Sequence, residues 1–100
     1  MQASRARSAV WPDPSLYEHF LRHHLGLGLK WVTEYEASAR RTIEVGKRFE
    51  YTSKGGQPRV GYFHAATLRF TALTRDERRI VSHYRVKDSD YPSRQLDYQP

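Results

Sequence analysis

Five histidines and no cysteine occur in the 100 residues. Histidine is the side chain whose ordinary pKa lies near neutrality, so its clusters are where proton transfer is sought first. His19, His23 and His24 share one segment, while His64 and His83 stand apart. His19 and His23 are four residues apart, a spacing that places both on one helical face and that can hold zinc. The zinc-protease pattern has a glutamate directly after its first histidine. Here Phe20, Leu21 and Arg22 intervene, and the Arg22 cation would repel a metal. No metal site and no cofactor are expected. Without cysteine there is neither a disulfide nor a thiolate zinc site.

The charge balance says which proton chemistry to consider. Lys and Arg number 17 against 11 Asp and Glu, a net charge of +6, which favours a polyanionic partner. RNA cleavage without a metal makes the ribose 2′-hydroxyl attack the neighbouring phosphate. It needs a group titrating near neutrality, fixed cations or donors on the phosphate, and a flat face for an unstacked base. His23, with His19 as rival, suits the first need. Arg22, Lys30 and Ser82 suit the second, and Tyr84 the third. Arg59, His83 and Arg85, all on predicted strands, complete the substrate-binding candidates. Taken alone, His23 lies on a stripe with Leu16 and Phe20 and would read as a hydrogen-bonded core histidine; its company is what points to chemistry. Other chemistries lack their parts. Ser82 and His83 are strand neighbours that point to opposite faces, there is no nucleophile elbow, and Gly55-Gly56 is too short for a phosphate loop.

The elements that must position these residues are readable from period and punctuation. Residues 1–13 read as a tail or linker, and 14–100 as one domain. Asp13 as N-cap, with Pro14 behind it or a Ser15/Glu18 capping box, starts a helix over about 14–25 that stops at Gly26 and Gly28. Thr33 and Glu36 form a capping-box pattern for a second helix, with Tyr35, Ala39 and Ile43 as its apolar stripe, Arg40, Arg41 and Glu44 facing solvent, and Gly46 as its end. The period then changes to alternation. Strands are predicted at Phe49–Thr52, Arg59–His64, around Leu68, Phe70 and Ala72, and at Arg79–Val86, with a hairpin turn at Lys54-Gly55-Gly56-Gln57. On the fourth strand Ile80, Ser82, Tyr84 and Val86 should share one face. Tyr91 to Pro100 either adds an edge strand or trails. The layout is α+β: N-terminal helices on an antiparallel meander of about four strands, one sheet face on the helices and the other open to solvent or ligand.

These features, in this order, resemble the barnase–EndoU–colicin–RelE group of nuclease toxins over roughly 16–86. His19-Phe-Leu-Arg-His23 and its glycine-containing loop look like the histidine-bearing first helix of contact-dependent-inhibition and phage-head-associated members. Thr33-Glu-Tyr-Glu-Ala-Ser-Ala39 is similar to their second helix. Val60 to Phe70 resembles their hairpin, and Ile80-Val-Ser-His-Tyr-Arg85 their closing strand. Two positions depart from the pattern: His64 stands where Asp is common, and Leu68 replaces a turn glycine. The resemblance, which is colicin D-like, implies a metal-independent endoribonuclease toxin acting on tRNA. It makes His23 (or His19) the general acid/base, Ser82 a hydrogen-bond donor to the phosphate or the transition state, and Tyr84 a stacking platform. It further implies a cognate immunity protein and delivery to a target-cell cytoplasm within a larger secreted or surface protein. Consistent with that, residues 1–10 carry Arg5 and Arg7 but no apolar leader, and no stretch approaches the ~20 apolar residues of a membrane span. Two alternatives use the same fold: a non-catalytic RNA-binding or phage-head accessory module, and a ribosome-dependent mRNA interferase of the RelE type.

Overall fold

The first helix, α1 (Asp13–Leu27), begins one residue before the expected start. Pro12 occupies the N-cap position and no side chain caps it. The residues expected to form a capping box are engaged elsewhere: the Trp11 indole donates to Ser15 Oγ at 3.3 Å, and Glu18 pairs with Arg22 at 3.4 Å. This computed structural model describes Ala6 and residues 8–100. The helix passes through Gly26 and ends at Gly28, whose φ of 71° suits glycine. There the Gly28 and Leu29 N–H groups donate to the Leu25 and His24 carbonyls, closing a Schellman motif.

The second helix, α2 (Val32–Val45), is capped two residues earlier than its sequence pattern suggested. The Glu34 carboxylate accepts from the Lys30 and Trp31 N–H groups at 3.2 and 3.1 Å. Glu36, expected in that role, instead pairs with Arg40 at 2.8 Å. Arg40 is half-buried rather than solvent-facing, because its guanidinium also donates to the Ala9 carbonyl. Tyr35, Ala39 and Ile43 are buried as their spacing requires.

Four strands follow: β1 (Lys47–Thr52), β2 (Pro58–His64), β3 (Arg69–Thr74) and β4 (Ile80–Arg85). They form an antiparallel meander in sequence order, so the fold is α+β, two helices against one four-stranded sheet. Leu68, in the β2–β3 turn, itself adopts the positive φ (58°) that a turn glycine would take. Its half-buried side chain packs into the sheet's aromatic cluster, which offsets the strain. Gly61 matters for packing: a Cβ there would lie 2.5 Å from the Phe70 ring and 2.7 Å from that of Phe49.

Both sheet faces are covered, unlike the one-sided sheet expected. Val60, Tyr62, Leu73 and Ile80 pack on Leu16, Phe20, Leu27, Tyr35, Ala39 and Ile43. On the other face Phe49, Tyr51, Phe63, Phe70 and Ala72 cluster beneath Tyr91 and Tyr98 of the C-terminal segment. That segment makes a short 3₁₀ turn at Pro92–Arg94 and then bridges β1 through Glu50 and Gln99. The residues read as a tail also join the fold where they are described. Ala6, Ala9 and Trp11 are buried, and Val10 exchanges backbone hydrogen bonds with Arg78 and Ile80. Residues 1–5 and 7 lie outside the described residues.

A register shift between Ala72 and Leu73 bulges β4 at Val81. Ser82 and Tyr84 stand opposite Ala72 and Phe70 as one face, but Ile80 turns inward onto the helices. The single-face alternation read from the sequence is broken there.

Candidate functional site

α1 packs chiefly along β4, one of the two edge strands of the sheet. His19 and His23 share a face of α1, with stacked rings whose centroids are 5.9 Å apart. Beyond them the row extends in both directions. Trp11 lies 6.3 Å from His19, and the Tyr84 ring lies 5.2 Å from His23. Tyr84 belongs to the face turned away from the helices, so His23 meets it across the sheet edge. Its hydroxyl shares a 2.6 Å hydrogen bond with that of Tyr91. Burial raises the Tyr84 pKa, reinforced by Tyr91, so this phenol stays protonated.

Both histidines are half-buried and titrate below the ordinary 6.5. For His19 burial is the main cause and the Arg22 charge adds to it, with Glu18 opposing. For His23 burial again leads, followed by His19 and Arg22. At pH 7 both imidazoles are neutral and able to accept a proton. His19 Nδ1 is buried without a hydrogen-bond partner among the described residues.

The remaining histidines hold the fold. His24 stacks on Phe20 at 4.5 Å and its Nδ1 donates to the Leu29 carbonyl at 2.8 Å. His64 caps the β2–β3 turn, with Nδ1 3.0 Å from Thr67 Oγ1. His83, a substrate-binding candidate by sequence, is fully buried and meets no solvent. Its hydrogen bonds form one consistent chain. Arg69 donates to Ser38 Oγ at 2.9 Å, and Ser38 donates to His83 Nε2 at 2.8 Å. His83 Nδ1–H faces the Phe70 carbonyl at 3.0 Å and Thr71 Oγ1 at 2.8 Å. Thr71 in turn donates to the Ala39 carbonyl, and the Tyr35 hydroxyl donates to the His83 carbonyl. Burial pushes the His83 pKa down to about 3, so the ring is neutral and serves as a structural connector.

The other candidates divide by position. Ser82 is half-buried on β4, on the same face as Tyr84, and its hydroxyl has no hydrogen-bond partner among the described residues. Arg22 is exposed beside the histidine pair. Arg85 is exposed at the end of β4, next to Tyr84 and opposite Arg69. Lys30 is exposed in the turn between the helices. Arg59 is not brought in. It pairs with Thr74, whereas Tyr84 pairs with Phe70, a separation of about 13 Å along the sheet at strand spacing.

Sequence reasoning missed Arg69, Ser38 and Thr71. Strand alternation carried the signal for two of them, since Arg69 and Thr71 share the helix-facing parity of Leu73. It also missed a concavity of about 300 Å³ lined by Tyr84, Arg85, Val86, Lys87, Tyr91 and Arg94. A second one, of about 270 Å³, lies between β1 and the C-terminal segment and contains no histidine. Among the described residues no group of three or more His, Cys, Asp or Glu could hold a metal ion, and no helix is long and apolar enough to cross a membrane. Comparison with protein-family models, curated proteins and solved structures finds no match.

Proposed function

We propose that this chain is a metal-independent endoribonuclease domain working at the α1–β4 seam. The observation that carries the reading is the His19–His23 pair: two stacked imidazoles, neutral at pH 7, beside a cation and against an aromatic ring that a base can share. In the proposed reaction a neutral imidazole, His23 in the first instance, takes the proton of a ribose 2′-hydroxyl. The oxygen bonds to phosphorus, the bond from phosphorus to the 5′-oxygen breaks, and the imidazolium returns its proton to that oxygen. Arg22, Arg85 and the Ser82 hydroxyl oppose the charge that builds on the phosphate. Products would end in a 2′,3′-cyclic phosphate and a 5′-hydroxyl. The resemblance to colicin D-type nucleases makes tRNA the first substrate to try and an acidic immunity protein the expected inhibitor. It also supports delivery within a larger protein.

The direct test is incubation with total RNA in EDTA, followed by end analysis. His23→Ala and His19→Ala should each lower cleavage about a hundredfold or more. Intact RNA, or cleavage indifferent to both substitutions, ends the proposal. One observation favours a second reading. Trp11, His19, His23 and Tyr84 form a continuous packed row, which is also what a purely structural seam looks like. A non-catalytic RNA-binding module would then bind RNA in a salt-sensitive way and leave it whole.

A further inference from the structure

The concavity beyond Tyr84 brings cations and aromatic rings together. Arg85, Lys87 and Arg94 surround the two hydrogen-bonded tyrosines, Tyr84 and Tyr91. Arg85 and Lys87 are exposed and have no ion-pair partner among the described residues. Arg94 pairs with Asp88 at 3.0 Å, but both side chains are about half exposed and the bond is readily exchanged. The groove therefore offers a surplus of positive charge next to aromatic surface. Cations alone would suit any polyanion; cations interleaved with rings suit a strand whose bases are unstacked and free to lie on them.

Its position gives it a direction. Tyr84 is both a wall of this groove and the ring on which His23 rests. From His23 the path runs 5.2 Å to Tyr84 and 6.3 Å on to Tyr91. A stacked strand advances about 3.4 Å per nucleotide, so a few nucleotides span it. We infer that this groove is a subsite for single-stranded RNA. It would hold the nucleotides flanking the one at the histidines, with Lys87 and Arg94 on their phosphates and the tyrosine pair against a base. A duplex, whose bases are already stacked, gains nothing from the rings. The direction toward the histidines rests on the ribonuclease reading; the choice of ligand rests on the groove itself.

Binding is measured separately from cleavage with a fluorescent 2′-O-methyl octanucleotide, which has no 2′-hydroxyl to attack, titrated in EDTA over a range of NaCl. Lys87→Glu with Arg94→Glu should weaken binding about tenfold or more at low salt. The same pair should make the log–log salt slope shallower by about 1.4, two single-strand phosphate contacts. An abasic octamer of equal charge should bind about fivefold or more weaker than the base-bearing one. Unchanged affinity and slope in the double variant overturn the subsite. Equal binding of the abasic octamer, of a duplex of the same length, or of poly-glutamate overturns its assignment to single-stranded RNA and marks a general polyanion or acidic-protein surface. If wild-type protein binds the octamer through this groove but leaves unmodified RNA whole, the nuclease reading falls and the subsite stands. If RNA is cleaved while the double variant binds normally, the reverse holds.

Discussion

His83 and His23 differ in what surrounds their nitrogens, and that decides what each can do. His83 spends both on Ser38, Thr71 and the Phe70 carbonyl. His23 has an aromatic neighbour on each side, and no hydrogen bond to its ring is found among the described residues. Strand parity already separated His83 from Tyr84 in the sequence. What could not be read there was which face the helices cover, and so which of the two residues is sealed. The consequences are measurable. The fold keeps His83 neutral to about pH 3, whereas an unfolded histidine protonates near 6.5. The unfolded chain thus takes up the proton first. Stability is full above 6.5 and is lost as pH falls toward 3, on the order of 5 kcal/mol in all. Urea midpoints should fall between pH 7.5 and 4.5, and His83→Gln should flatten much of that slope; an unchanged slope would remove His83 as its source. His19 and His23, also lowered, set the acid limb of catalysis. Cleavage should rise with pH through a midpoint below 6.5 and level off by neutrality, since the base works unprotonated. A kcat/KM profile whose midpoint lies above 6.5 contradicts this assignment.

At the scale of elements, both helices, all four strands and their meander order were legible, because apolar period and glycine punctuation agree along the chain. The ends were less so. Two overlapping acidic candidates, Glu34 and Glu36, could each cap α2, and propensity does not rank them. Glu34 prevails because Trp31 takes the extended conformation of an N-cap. Glu34→Ala should therefore cost about 1 kcal/mol in urea unfolding, close to a lost cap. Glu36→Ala, which removes only a half-exposed pair with Arg40, should cost about 0.5 kcal/mol or less. The reverse order would restore the sequence-based cap. The bulge at Val81 left no sequence signal, since its flanking residues alternate normally. It nonetheless determines that Ile80 faces the core while Ser82 and Tyr84 reach the outer face, where Tyr84 meets His23.

The whole molecule closes its sheet with its own ends, which composition did not reveal. Tyr91 and Tyr98 sit in a mostly polar stretch without apolar period, so their role as the cover of the second face was invisible. Two of the groove's cations, Lys87 and Arg94, come from this region and went unnoticed for the same reason. Each outer strand is also met by a terminal segment: Val10 against the start of β4, Gln99 against β1. An uncovered outer strand is a template for another copy. Keeping these two edges from pairing with another copy therefore falls to a few backbone hydrogen bonds made by Val10, Leu96 and Gln99. A chain ending at Lys87 would bare both the β1 edge and the Phe49–Phe70 cluster. It should sediment as assemblies at concentrations where the full chain sediments as a single species, and a truncated chain of unchanged sedimentation would show that the ends are dispensable. The segment beyond Lys87, which supplies one of the groove's two tyrosines and its Arg94 cation, would in colloidal terms also be the chain's protection against itself.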